Sequence, residues 1–206
     1  MRCHDCVIAS HMARTIRYLT HPQVTIDPAT PVPEWSLSPL GAQRVADLAK
    51  SEALTMIAYV YTSEEIKALE TAGPLAEATF ADVMIRPRMG ENDRSATGFL
   101  PTEEFEAHAD AFFANPTESI NGWETSANAQ DRIVTAVKAA LEETRDGDIL
   151  FVGHGAVGTL LYCACAGESI DRKFDQGPGG GGNYITYDED LKPLHHWRPM
   201  EDLYKN

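Results

Sequence analysis

Apolar positions along the chain fall into two rhythms: short, nearly unbroken runs, and longer stretches with helical spacing. "TIRYLTH" (15–21) is β-rich and stops at Pro22, which cannot continue a ladder. Ser38 followed by Pro39 predicts a capped helix start, with Leu40, Val45 and Leu48 as its apolar stripe. "MIAYVYTS" (56–63) has the pattern of a strand buried on both faces, and it feeds a helix that Gly73 and Pro74 are expected to kink or divide. "FADVMIRP" predicts a third strand, and a polar insertion follows over about 88–101. Two helical stretches, roughly 102–115 and 126–145, lead to a fourth strand in "DGDILFVGHG". "AVGTLLYCACAG" is a short apolar helix ended by Gly167, "QGPGGGGNY" a flexible loop, and "YITYDEDLKPLHHW" a hairpin turning at 188–190. Strands alternating with helices predict an α/β fold, a three-layer α/β/α sandwich around a mostly parallel sheet.

The length of 206 residues suits one domain, expected over 15–206. Residues 1–14 read as a flexible leader, partly foreign to the natural chain if Met12 is its start. Thirty-one acidic against 17 basic residues give a net charge of −14. Such a field repels polyanions, so neither nucleic acid nor an anionic membrane is an expected partner. No apolar run is long enough to span a bilayer, and the expected compartment is the cytoplasm. The four cysteines do not form a disulfide framework, and Cys3, His4, Cys6 and His11 lack a second ligand pair set in structure. No metal or other cofactor is expected.

"FVGHGAVG" (151–158) spells G-x-G-x-x-G through Gly153, Gly155 and Gly158. A dinucleotide fingerprint should open a βαβ unit with an acidic residue closing the next strand. Here the sequence runs on into "ESIDRKFDQGPGGGG", so the context fails. The glycines read instead as permitting a sharp strand-to-helix turn. That turn would expose His154 and aim a helix N-terminus at an anion. His21 likewise ends the first strand, and ligands of open α/β sheets bind beyond the carboxyl ends of strands.

At these positions the chain resembles the histidine phosphatase superfamily, whose members are phosphoglycerate-mutase-like. "YLTHPQV" sits where the family has Arg-His-Gly; "SPLGAQRVADLA" and "TSEEIKALETAGPLAEA" match its next two helical motifs. "PRMGENDR" lies where its proton-donating Glu lies, "GWETSANAQDRI" resembles its Gly-Glu-Ser helix start, and "ILFVGHGAVGTLL" and "GGNYITYD" match its second-histidine and Asn-bearing strands. The resemblance implies His21 as nucleophile, His154 as a donor to the phosphoryl oxygens and Glu91 as general acid. Thr20, Ser63, Lys67, Gly155 and Arg94 are the implied phosphate-binding positions. Glu103 and Glu104 are nearby alternatives to Glu91. The departures are Thr20 and Lys67 in place of two arginines and Pro22 in place of glycine; a lysine is a point charge where arginine presents a planar fork. Arg88, Arg94, Arg172 and Lys173 are candidate replacement cations.

Three functions follow as expectations. The first is a phosphomonoester hydrolase acting through a phosphohistidine on a phosphorylated small molecule or phosphoprotein. The second is a degenerate homologue that binds such a ligand without turnover, and the third is a phosphoglycerate-type mutase.

Overall fold

The computed structural model describes residues 14–144 and 146–205. The expected leader and its Cys3, His4, Cys6 and His11 lie outside the described residues, except for Arg14, which donates to the Thr144 carbonyl at 2.9 Å.

Eleven main elements follow one another. They are β1 (Ile16–Thr20), α1 (Pro39–Ala49), β2 (Ile57–Thr62), α2 (Ile66–Thr79), β3 (Asp82–Ile85), α3 (Thr102–Ala114), α4 (Ser126–Glu143), β4 (Asp148–Gly153), α5 (Gly155–Ala166), β5 (Asn183–Tyr187) and β6 (Arg198–Pro199). The sheet order is β3-β2-β4-β1-β5-β6. β1, β2, β3 and β4 run parallel, whereas β5 and β6 pair antiparallel at one edge.

The period of two along each strand builds two cores. Ile16, Tyr18, Ile149 and Phe151 face a core shared with α4 and α5, where Phe112 and Phe113 of α3 also pack. Leu19, Leu150 and Val152 face a second core with Val45 and Leu48 of α1 and Leu75 of α2. The result is the α/β/α sandwich the pattern predicts. Ser38 caps α1, accepting from the Gly41 N–H at 3.1 Å, but Leu40 is exposed and only Val45 and Leu48 of the expected stripe are buried. Pro74 does not divide α2, which runs through it to a left-handed cap at Phe80. No helix among the described residues is long and apolar enough to cross a membrane.

The parallel register sets the carboxyl edge. Thr20 pairs with Gly153 and Thr62 with Val152, so His21, Ser63 and His154 leave the sheet side by side. The three glycines of 153–158 do not serve the turn through left-handed backbone, since none of them has positive φ. They serve close approach. A Cβ on Gly153 would lie 2.2 Å from the Tyr18 hydroxyl, one on Gly158 would lie 2.5 Å from the Tyr18 ring, and one on Gly155 would lie 2.3 Å from Gln176 Nε2. The buried Tyr18 hydroxyl accepts from the His154 N–H at 3.0 Å and donates to its carbonyl at 3.2 Å.

The glycine-rich loop, expected to be flexible, has a defined contact with the site. Gly179 to Gly182 all have positive φ, the Gly182 N–H donates to the His21 carbonyl at 3.0 Å, and a Cβ on Gly181 would lie 2.1 Å from that oxygen. The loop is seated against the backbone of His21.

Gly153→Ala is expected to lower stability by about 1–3 kcal/mol, because the Tyr18 ring must shift. A thermal melt of the variant checks the sign.

Candidate active site

His21 follows β1 and is fixed through its backbone. Its N–H donates to the Gly153 carbonyl at 2.9 Å and its own carbonyl accepts from Gly182. The ring nitrogen Nδ1 lies 2.8 Å from the Pro22 carbonyl. A carbonyl only accepts, so Nδ1 carries the proton and Nε2 keeps its lone pair. Burial pushes the imidazole down to about 4, helped by the nearby Lys67 charge.

His154 stands beside it, with ring centroids 5.3 Å apart. It is fully buried. Its Nε2 lies 2.8 Å from Ser63 Oγ and 3.4 Å from a carboxylate oxygen of Glu65. The neighbouring carboxylate assigns the proton to Nε2, leaving the buried Nδ1 without a hydrogen-bond partner among the described residues. Burial lowers this imidazole too, to about 3.

Glu65, at the start of α2, occupies the centre of the cluster. Its Oε2 accepts from Lys67 Nζ at 2.5 Å and its Oε1 from the Glu91 N–H at 2.7 Å. Burial by itself would raise this carboxyl, but the His154 and Lys67 donors and the Glu91 N–H more than offset it and hold it at about 2. Lys67 is itself buried and donates a second bond to the Val32 carbonyl at 2.9 Å.

Glu91 lies in the loop after β3. Its Oε2 accepts from the Ala156 N–H at 3.2 Å and its Oε1 from the Val157 N–H at 3.1 Å. The α5 N-terminus expected to hold a free anion is therefore occupied by this side chain. Burial raises the Glu91 carboxyl above its ordinary value, with the Glu65 charge adding to it and Arg94 opposing. Arg132 of α4 pins the loop, donating to the carbonyls of Arg88, Gly90 and Glu91 while pairing with Glu124 at 2.8 Å.

The remaining expected residues divide between those at the cluster and those away from it. The Thr20 hydroxyl donates to Gln176 Oε1 at 2.8 Å and accepts from the Asn183 N–H at 3.0 Å, facing β5. Gly155 opens α5 against Gln176. Arg94 lines the same cavity as Glu65 and Glu91 and forms no ion pair among the described residues; its guanidinium lies 4.9 Å from the centre of the Phe105 ring. That cavity, of about 650 Å³, is walled by Pro31, Val32 and Ile66 and by acids that include Glu34, Glu64 and Asp93. Of the other candidate cations, Arg172 pairs with Glu106 and Asp110, Lys173 lies over Phe174, and Arg88 is exposed. Glu103 and Glu104 begin α3 and are exposed. Sequence reasoning missed Glu65 and Tyr18. The signal for Glu65 was available in the chain itself: two acids, Glu64 and Glu65, follow Ser63 directly where the buried strand ends.

A model of the histidine phosphatase superfamily (branch 1) matches residues 27–198, a range that takes in Ser63, Lys67, Glu91 and His154 and begins after His21. No curated protein matches the sequence. Among solved structures, the chain is similar to the mycobacterial glucosyl-3-phosphoglycerate phosphatase at 19% identity and a TM-score of 0.71, covering 91% of this chain and 97% of that one. It is similar to phosphoserine phosphatase from Entamoeba histolytica at 16% identity and a TM-score of 0.72, covering 92% and 99%. It is also similar to YhfR of Bacillus stearothermophilus at 21% identity and a TM-score of 0.72, covering 84% and 90%. These likenesses establish the fold.

Both imidazoles are neutral in the folded protein at neutral pH, whereas an unfolded chain's histidines take up protons around pH 6.5. Between that value and about pH 3 the unfolded state binds more protons, so stability falls as pH falls across the window and is fully present above it. The urea midpoint is expected to drop steadily from about pH 7 to about pH 4. His154→Gln, which cannot titrate, should flatten the drop; an unchanged slope would assign it to other groups.

Proposed function

The chain belongs to the histidine phosphatase superfamily, and from that premise we propose that it is a phosphomonoester hydrolase acting through a phosphohistidine on His21. The observation that carries this reading is the pairing of two neutral imidazoles, 5.3 Å apart at the carboxyl edge, with a carboxyl of raised affinity for protons that reaches from the loop after β3 to the start of the helix following the second. A nucleophile needs a lone pair, and the Nδ1–H bond to Pro22 leaves one on His21 Nε2. An acid needs a proton to give at neutral pH, and burial moves Glu91 toward holding one.

In the first step His21 Nε2 attacks phosphorus, the bond to the leaving oxygen breaks, and Glu91 gives that oxygen its proton. In the second step the Glu91 carboxylate takes a proton from water, the hydroxide attacks the phosphohistidine, and inorganic phosphate leaves as His21 recovers its lone pair. His154, through Nε2–H, and Arg94, through a guanidinium without an ion pair among the described residues, are the groups that meet charge developing on the phosphoryl oxygens. Arg132 and Glu124 hold the acid's loop in place. The 650 Å³ cavity beside Glu91 suits the leaving group of a small phosphorylated molecule.

A second reading, binding of a phosphorylated ligand without turnover, draws on Lys67. The cation at the family's arginine position is engaged by Glu65 and by a backbone carbonyl.

His21→Ala is expected to abolish hydrolysis of p-nitrophenyl phosphate and of alkyl phosphates, and with it an acid-labile phosphoryl adduct seen by mass spectrometry in quenched wild-type protein. Wild-type protein that hydrolyses none of these esters and forms no adduct would select the second reading. Glu91→Gln should slow alkyl esters by about 10²–10⁴ while sparing esters with a good aryl leaving group. Equal losses on both would remove Glu91 from the acid's role.

A further inference from the structure

The mechanism leaves one charged group at the centre of the cluster, Glu65, without a part. Two donors converge on its carboxylate, Lys67 Nζ at 2.5 Å and the Glu91 N–H at 2.7 Å, and His154 Nε2 lies 3.4 Å from it. Ser63, whose hydroxyl bonds His154 Nε2, accepts the Glu65 N–H at 3.3 Å and closes the same circle. A cation, an imidazole N–H and a backbone N–H are the donor set that an oxyanion binds. The group they hold is a planar monoanion supplied by the chain itself, beside His154, whose ring lies 5.3 Å from that of His21.

We propose that Glu65 is a built-in competitor for the phosphoryl group: its carboxylate fills the anion seat formed by Lys67, His154 and the Glu91 N–H, and a phosphoryl group binds by displacing it. This rests on the reading of His21 and His154 as the phosphoryl site.

Two features make displacement feasible. Glu65 lines the 650 Å³ cavity, so its side chain can turn into open volume without moving α2. Its backbone stays anchored, since its carbonyl accepts from the Ala68 and Leu69 N–H groups of that helix. Two features make it selective. A phosphoryl dianion offers more charge and more acceptor atoms to Lys67 than a carboxylate does. It must also bring binding from the rest of the ligand, because the cavity that receives Glu65 already presents Glu34, Glu64 and Asp93. Inorganic phosphate alone is then a weak ligand, and the body attached to the phosphoryl group decides what is bound.

The test is calorimetric binding of inorganic phosphate to the full chain, which reads the seat without requiring turnover. Glu65→Gln keeps the shape and removes the charge, and it is expected to bind phosphate at least tenfold more tightly than wild type. Since the substitution leaves Lys67 buried without its partner, Glu65→Asp is measured beside it. The shorter arm keeps a charge for Lys67 but withdraws from His154 and the Glu91 N–H, and at least threefold tightening is expected. In wild-type protein the Glu91 amide resonance should move on titration with phosphate, as its acceptor changes. Phosphate affinity that is unchanged or weakened in every folded variant, or an unmoved Glu91 amide in protein saturated with phosphate, overturns the proposal. Tightened phosphate binding in Glu65→Gln with no hydrolysis of any ester leaves the proposal standing and overturns the phosphatase reading. Wild-type hydrolysis that is lost in Glu65→Gln with phosphate affinity unchanged does the reverse and makes Glu65 part of the reaction.

Discussion

The contact between Glu65 and Lys67 organises the site. Two unlike charges are buried together, and burial of either alone would be strongly unfavourable. The pair is tolerable because the chain surrounds it with further partners: the Val32 carbonyl on the lysine, the Glu91 N–H and His154 Nε2 on the carboxylate. Each of these partners belongs to a different segment. The pair therefore ties the loop before α1, the start of α2, the loop after β3 and the turn after β4 into one body.

The position of Glu91 follows from that tie. Its backbone N–H is held by Glu65, its carboxylate by the start of α5, and its carbonyl by Arg132. Burial makes this carboxyl keep its proton longer than an exposed one, against the Val157 and Asn92 N–H bonds that favour its charged form. Motion of the 90–92 loop would loosen all three holds together, so on the proposed reading the Arg132–Glu124 pair positions the acid without touching the histidines.

Electrostatics give the site its second character. The chain carries a net charge of −14, and the cavity mouth is acidic. Against that background the two arginines of the family pattern are Thr20 and Lys67. Thr20 has joined a hydrogen-bond network with Gln176 and Asn183, and Lys67 is paired internally. Arg94, from the insertion, is the cation left facing the cavity without an ion pair among the described residues. On the proposed reading, phosphate recognition in such a site leans less on guanidinium forks and more on neutral imidazoles, backbone N–H groups and the remainder of the ligand.

Periodicity alone was enough to read the sandwich. Apolar runs spaced by amphipathic stretches have few other ways to bury both faces of a sheet, and Ser38-Pro39 and Gly167 mark helix ends through local chemistry that needs no tertiary contact. The order of motifs placed His21, Glu91 and His154 at one edge, because parallel strands carry their carboxyl ends together. Two features lay beyond the sequence: which group meets the α5 N-terminus and what the glycine loop touches. Both turn on which distant group approaches: Glu91 reaches the Ala156 and Val157 N–H groups, and Gly182 reaches the His21 carbonyl. The same holds for Gly153 and Gly158, which the chain needs for the Tyr18 ring rather than for a nucleotide or a strained turn. Local pattern carries the strand, the helix and the cap, since their forces act within a few residues. The partner of a buried charge is chosen across the sheet, by whatever the fold brings within about 3 Å, and that choice put Glu65 where an anion would sit.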